Sequence, residues 1–234
     1  MFARSTRYAM MTALLCTVSL AACDDSNSAT GVSSQQNTAT VRFVNATGTA
    51  LDFASGGTVG TGNGNLTYGS SSSCNSVDVS NTGSLSVRTA GSTTTVAGFA
   101  PTLGAGGNYT IIAYPGAGGA MQFATLATNG FSPATGASGF RAFNAAGSGN
   151  YDVYVTAPGA ALGTATAAGV GSGSSSAFVS TAAGISQIRL TSAGSQSTLL
   201  DVGNQTFTAG QNRMLVIAPA VAGTTPRAFF VTGC

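Results

Sequence analysis

The chain is written twice, and this duplication restricts its possible folds more than any other feature. Val41-Arg42-Phe43-Val44-Asn45-Ala46 matches Phe140-Arg141-Ala142-Phe143-Asn144-Ala145, with Asn45 and Asn144 separated by 99 positions. Leu51-Asp52-Phe53 matches Tyr151-Asp152-Val153 at an offset of 100, and Ala90-Gly91-Ser92 matches Ala193-Gly194-Ser195 at 103. Ala105-Gly106-Gly107-Asn108 matches Ala209-Gly210-Gln211-Asn212 at 104, and an apolar run follows each copy (Ile111-Ile112-Ala113; Leu215-Val216-Ile217). Phe123 matches Phe229 at 106. An offset that grows in one direction is what small loop insertions produce. A chain rich in Gly, Ala and Ser gives one such match by chance, but not a series of them in order. Whatever fold one half takes, the other takes too.

Each copy reads as short strands. Val77 and Val79 alternate with Asp78 and Ser80, and Leu85 and Val87 with Ser84, Ser86 and Arg88. Tyr151, Val153 and Val155 alternate with Asp152 and Thr156, while Tyr154 puts a ring on the opposite face. This is the period of two expected of strands with one apolar face. Gly/Ser/Asn clusters such as 60–65 and 171–176 punctuate the strands. The Ala-rich stretch 157–168 carries Pro and Gly, which oppose a helix. Around seven strands in a copy of this length predict an all-β fold of two tandem immunoglobulin-like β-sandwich domains. The expected boundaries are 39–131 and 136–234, split near Ser132-Pro133-Ala134-Thr135.

The N-terminus predicts location. Arg4 and Arg7 precede an apolar run from Ala9 to Leu20, too short to span a bilayer as a helix. Leu20-Ala21-Ala22-Cys23 closes it and resembles the lipobox of bacterial lipoproteins. The resemblance implies a signal peptide over 1–22, cleavage before Cys23, and acyl chains on Cys23 that hold the protein on a membrane. An ordinary secretory cleavage is the alternative. Asp24-Asp25 resembles an inner-membrane retention signal of enterobacteria, which leaves the choice of membrane open. Residues 23–38 are polar and aperiodic, as a flexible tether is. The expected site is thus extracytoplasmic: the periplasmic face of either membrane, or the cell surface.

Arg141-Ala142-Phe143-Asn144-Ala145, then Tyr151-Asp152-Val153-Tyr154-Val155, then Thr208-Ala209-Gly210 before an apolar strand, are similar to the domain of unknown function 4397 family. The resemblance covers roughly residues 39 to 233, and the second copy fits better; the first departs at Leu51-Asp52-Phe53-Ala54-Ser55. It implies secreted or lipid-anchored tandem β-sandwiches and carries no established activity.

Residue types narrow the chemistry. The precursor has eight Arg, six Asp and no Lys, Glu or His. Without His, neither Ser-His-Asp nor Cys-His machinery can form, and zinc sites of the usual kind lack ligands. The Asp residues of the folded part are isolated, with no D-x-D spacing for calcium. Asp52 and Asp152 occupy equivalent places in different copies, so they predict no carboxylate dyad. Removing Arg4 and Arg7 with the signal leaves Arg and Asp in balance, which gives no nucleic-acid signature. The expected function is a non-enzymatic structural or protein-interaction role in the cell envelope, without cofactor or metal. Its partners are the membrane through Cys23 and another envelope protein or a surface polymer. The alternative is a carbohydrate- or surface-polymer-binding module, with Tyr68, Tyr109, Tyr114, Tyr151 and Tyr154 as candidate platforms. Arg42, Asp52, Arg141 and Asp152 are repeated charges expected to pair across neighbouring strands. Cys74 and Cys234 are the cysteines left once Cys16 is removed and Cys23 is acylated, and outside the cytoplasm they predict a disulfide between the copies.

Overall fold

Period-two segments such as Leu85-Ser86-Val87 and Tyr151-Asp152-Val153 send alternate side chains to one face, and both are strands. The computed structural model describes residues 37–234. The expected signal peptide, Cys23 and all but the last two tether residues lie outside the described residues. Copy one contributes β1 (Thr38–Asn45), β2 (Leu51–Ser55), β3 (Thr58–Val59), β4 (Asn75–Asp78), β5 (Leu85–Thr89), β6 (Thr95–Phe99), β7 (Asn108–Pro115) and β8 (Met121–Ala127). Copy two contributes β9 (Ala137–Asn144), β10 (Tyr151–Thr156), β11 (Ala167–Val170), β12 (Val179–Ala182), β13 (Gly184–Ser192), β14 (Thr198–Phe207), β15 (Asn212–Ala218) and β16 (Arg227–Thr232). The first strand begins at Thr38, inside the expected tether.

Copy one makes two four-stranded sheets, ordered β4-β1-β7-β8 and β3-β2-β5-β6. Copy two repeats the orders as β12-β9-β15-β16 and β11-β10-β13-β14. Each sheet takes all its strands from one copy. Neighbours are antiparallel except β1 with β7 and β9 with β15, which are parallel. The molecule is therefore all-β and built from sandwiches. An immunoglobulin constant-type sandwich holds its first two strands in one sheet. Here β1 and β2 lie in opposite sheets, so the likeness is one of architecture and the strand order differs.

Three apolar layers hold four sheets. In the first, Phe43, Phe53, Val87 and Ile111 fill the sandwich of copy one. In the second, Phe140, Val153, Leu190 and Leu215 fill that of copy two. The third lies between the copies, where Val44 and Ile112 meet Phe143, Met214 and Val216. The sheets containing β1 and β9 are thus buried on both faces. Strands in such a position need apolar side chains on both sides, which accounts for the unbroken runs at Ile111-Ile112-Ala113 and Met214–Ala218.

One strand assignment changes. Val79 is not in a strand: β4 ends at Asp78, and Val79–Ser84 is a 3-10 turn. Asp78 Oδ1 accepts from Ser80 N at 2.9 Å and Ser80 Oγ at 2.7 Å, capping that turn. The Ser80 side-chain and backbone bonds hold its carboxyl below the ordinary carboxylate range.

Candidate functional site

The duplicated polar residues are structural fasteners, and their local geometry explains why they recur. Asp52 on β2 accepts from Asn65 N at 2.6 Å and from Gly91 N at 2.9 Å. Asp152 on β10 accepts from Gly169 N at 2.6 Å and from Gly194 N at 2.8 Å. Each buried carboxylate thereby ties a neighbouring segment, the loop at Asn65 or β11 at Gly169, to the turn of the next hairpin. Gly91 and Gly194 stand at φ 76° and 75°, a conformation that glycine adopts without steric cost. The repeated Ala-Gly-Ser is therefore the partner of the repeated Asp.

Asn45 and Asn144 are fully buried at the ends of β1 and β9. The Asn45 amide donates to Thr49 O and Leu66 O, both at 2.7 Å, and its Oδ1 accepts from Thr47 N at 2.8 Å. Asn144 repeats this with Gly149 O, Val170 O and Ala146 N. Sequence comparison found these residues as matches but not what they hold.

The expected Arg–Asp pairing is replaced by other contacts. Both Asp oxygens are already occupied by amides. Arg88 stands opposite Asp52 in register yet donates to Gly57 O at 2.8 Å. In copy two, Thr191 stands opposite Asp152, and Arg189 faces Tyr154. Asp52 and Asp152 sit in the two outermost sheets, three sheet spacings of about 10 Å apart, so they form no catalytic pair.

Arg42 and Arg141 project from β1 and β9 toward the other copy. Arg42 Nη1 donates to Thr232 O at 2.7 Å and Thr232 Oγ1 at 2.9 Å, and Nη2 to Cys74 Sγ at 3.3 Å. Arg141 lies 4.5 Å over the ring of Phe178, which stacks on Phe131 at 5.0 Å. Phe178 occupies the place of Cys74. Two residues before each stands a serine, Ser72 or Ser176, whose hydroxyl accepts from the matching amide, Phe43 N or Ala142 N. Arg141 is 7% exposed, and its Nε and Nη2 are buried without a partner. Desolvation lowers its pKa to about 10.

Cys74 and Cys234 are bonded across the copies, with Cα atoms 5.9 Å apart. Beside this bond a cleft of about 350 Å³ opens between the sandwiches, lined by Asn108, Thr128, Gln211, Asn212 and the stretch Thr232–Cys234. Asn108 and Asn212 are equivalent residues at the starts of β7 and β15. Asn212 donates to Phe131 O at 2.9 Å, while its Oδ1 and Thr128 Oγ1 are buried without a partner. Amides and hydroxyls of this kind can bind neutral polar groups; the lining holds no acid or base side chain for proton transfer. Among the described residues no group of three or more His, Cys, Asp or Glu is placed to hold a metal.

The candidate aromatic platforms are not exposed. Tyr154 is buried, and Tyr68, Tyr109, Tyr114 and Tyr151 are half-buried. Tyr68 packs edge-on to Phe229 and donates to Pro219 O at 2.7 Å. Tyr109 Oη accepts from Gly104 N at 2.8 Å, and Tyr114 packs edge-on to Phe143. No family model matches the sequence, and no curated protein matches it.

Proposed function

We propose that this chain is a lipid-anchored cell-envelope protein, held through Cys23, whose folded part is a non-enzymatic structural or protein-interaction module. The observation that carries this reading is the use made of the duplicated polar side chains. Asp52, Asp152, Asn45 and Asn144 all bond to the chain's own backbone. The lipobox-like Leu20-Ala21-Ala22-Cys23 and the resemblance to tandem lipid-anchored sandwiches support the location. The burial of the tyrosines favours a protein partner over an aromatic sugar platform. The surface-polymer reading rests on the amide- and hydroxyl-lined cleft, whose groups suit hydroxyl-rich ligands.

Two experiments test the proposal. Cys23→Ala is expected to move the protein from the membrane to the soluble envelope fraction; retention after alkaline extraction contradicts anchoring by lipid. Photo-crosslinkers placed on the outer faces of β10 and β13, followed by mass spectrometry, are expected to capture one recurrent envelope protein. Crosslinks to glycan alone support the polymer reading instead.

A further inference from the structure

We propose that the Cys74–Cys234 bond is a directional thiol-exchange site, in which Cys234 takes up an incoming thiol and Cys74 is released as a thiolate against Arg42. The inference is independent of where the protein is anchored, since it concerns the two sulfurs and their surroundings.

The two ends of the bond differ. Cys74 is exposed, and its Sγ accepts from Arg42 Nη2 at 3.3 Å. The guanidinium is fixed there, because Nη1 is held by both oxygens of Thr232. A cation at hydrogen-bonding distance favours a thiolate over a thiol. Cys234 instead forms part of the wall of the 350 Å³ cleft. Exchange needs the attacking sulfur in line with the bond, on the side away from the leaving sulfur, and a lower pKa makes a faster leaving group. Cys234 is half-buried and borders the cleft, and Arg42 stabilises the charge at Cys74.

A thiolate R–S⁻ attacks Cys234 Sγ, and a new bond forms between the two sulfurs. The Cys74–Cys234 bond breaks, and its electron pair leaves on Cys74 Sγ as a thiolate. Charge is conserved, and the product is a mixed disulfide at Cys234. Copy two supplies a contrast: Arg141 occupies the place of Arg42 but faces Phe178, so the cation at this position does not depend on a cysteine. In copy one, that arginine makes one sulfur the better leaving group.

The test exposes the full chain to a substoichiometric amount of reduced glutathione, quenches with acid, and maps the mixed disulfide by peptide mass spectrometry. The rate of exchange at each sulfur follows the stability of the thiolate that leaves. Glutathione is therefore expected on Cys234 in excess over Cys74. Arg42→Gln is expected to abolish the part of the excess due to charge, and Arg42→Lys to restore much of it. Equal labelling of the two cysteines, preference for Cys74, or a bond that glutathione does not open overturns the proposal. So does an unchanged bias in Arg42→Gln. If that variant does not fold, the wild-type ratio together with Arg42→Lys decides the matter, because the proposal requires the bias in both.

Discussion

At the scale of single residues, the fold depends on a few polar side chains whose loss leaves backbone groups unpaired. Asp152→Ala removes the acceptor of Gly169 N and Gly194 N. A hydrogen bond to a charged group contributes about 1.5–3 kcal/mol and these two are part-buried, so the variant is expected to lose about 2–4 kcal/mol in urea unfolding; a loss below about 0.5 kcal/mol contradicts the fastening role. Arg141 predicts the opposite sign. Its stack on Phe178 contributes about 0.5–2 kcal/mol, but two of its N–H-bearing nitrogens are buried unpaired, at about 1–3 kcal/mol each. The penalty outweighs the stack, so Arg141→Met is expected to be about 1 kcal/mol more stable at pH 7. pH gives a second check. Burial lowers the pKa of the folded guanidinium to about 10, while the solvated side chain of the unfolded chain keeps a higher one. Between those values the unfolded state binds more protons, so wild-type stability relative to Arg141→Met rises with pH; below pH 10 the difference is constant. Thermal unfolding of both proteins at pH 7 and pH 10.5 measures it.

At the scale of elements, β9 and β15 meet where side-chain volume is critical. A Cβ on Gly139 would collide with Asn212 Oδ1, whereas one on Gly48 meets nothing. Copy one carries Thr40 opposite Asn108 at the equivalent place, so the tight approach belongs to copy two. Gly139→Ala is expected to cost about 1–3 kcal/mol, with Gly48→Ala within about 0.5 kcal/mol; urea midpoints of the two variants compare them. The sequence pattern made much of this scale readable. Alternation located β5 and β10, and the growing offset located the second copy. Alternation also carried β4 too far, because the Asp78–Ser80 cap that turns the chain after Asp78 has no apolar signature. The repeated Asp and the repeated Ala-Gly-Ser were visible as separate matches. Their hydrogen bonds were not, because side-chain-to-backbone bonds leave no period. The apolar runs at Ile111 and Leu215 carried a further signal, because unbroken apolar strands indicate parallel pairing under two covered faces. The expected Arg–Asp pairs failed for a related reason: sequence distance between charges does not reveal that backbone amides already occupy the carboxylates.

At the scale of the whole molecule, the two copies are two sandwiches sharing a third apolar layer, closed at one end by Cys74–Cys234. That layer, through Val44, Ile112, Phe143 and Val216, makes the copies energetically dependent on one another, so reducing the disulfide is expected to lower stability without separating them. A closed loop of 160 residues sets an upper estimate of about 5 kcal/mol for that loss in the chain-entropy model, read as the difference in urea unfolding with and without reductant. The most direct test of the shared layer is amide hydrogen exchange on Val216→Asp. Val216 lies on β15 of copy two and is fully buried between the copies. Faster exchange is expected along β1 and β7 of copy one as well as along β9 and β15. Protection of β1 and β7 at the wild-type level, with loss confined to copy two, would contradict the shared layer and leave two independent sandwiches joined by a disulfide.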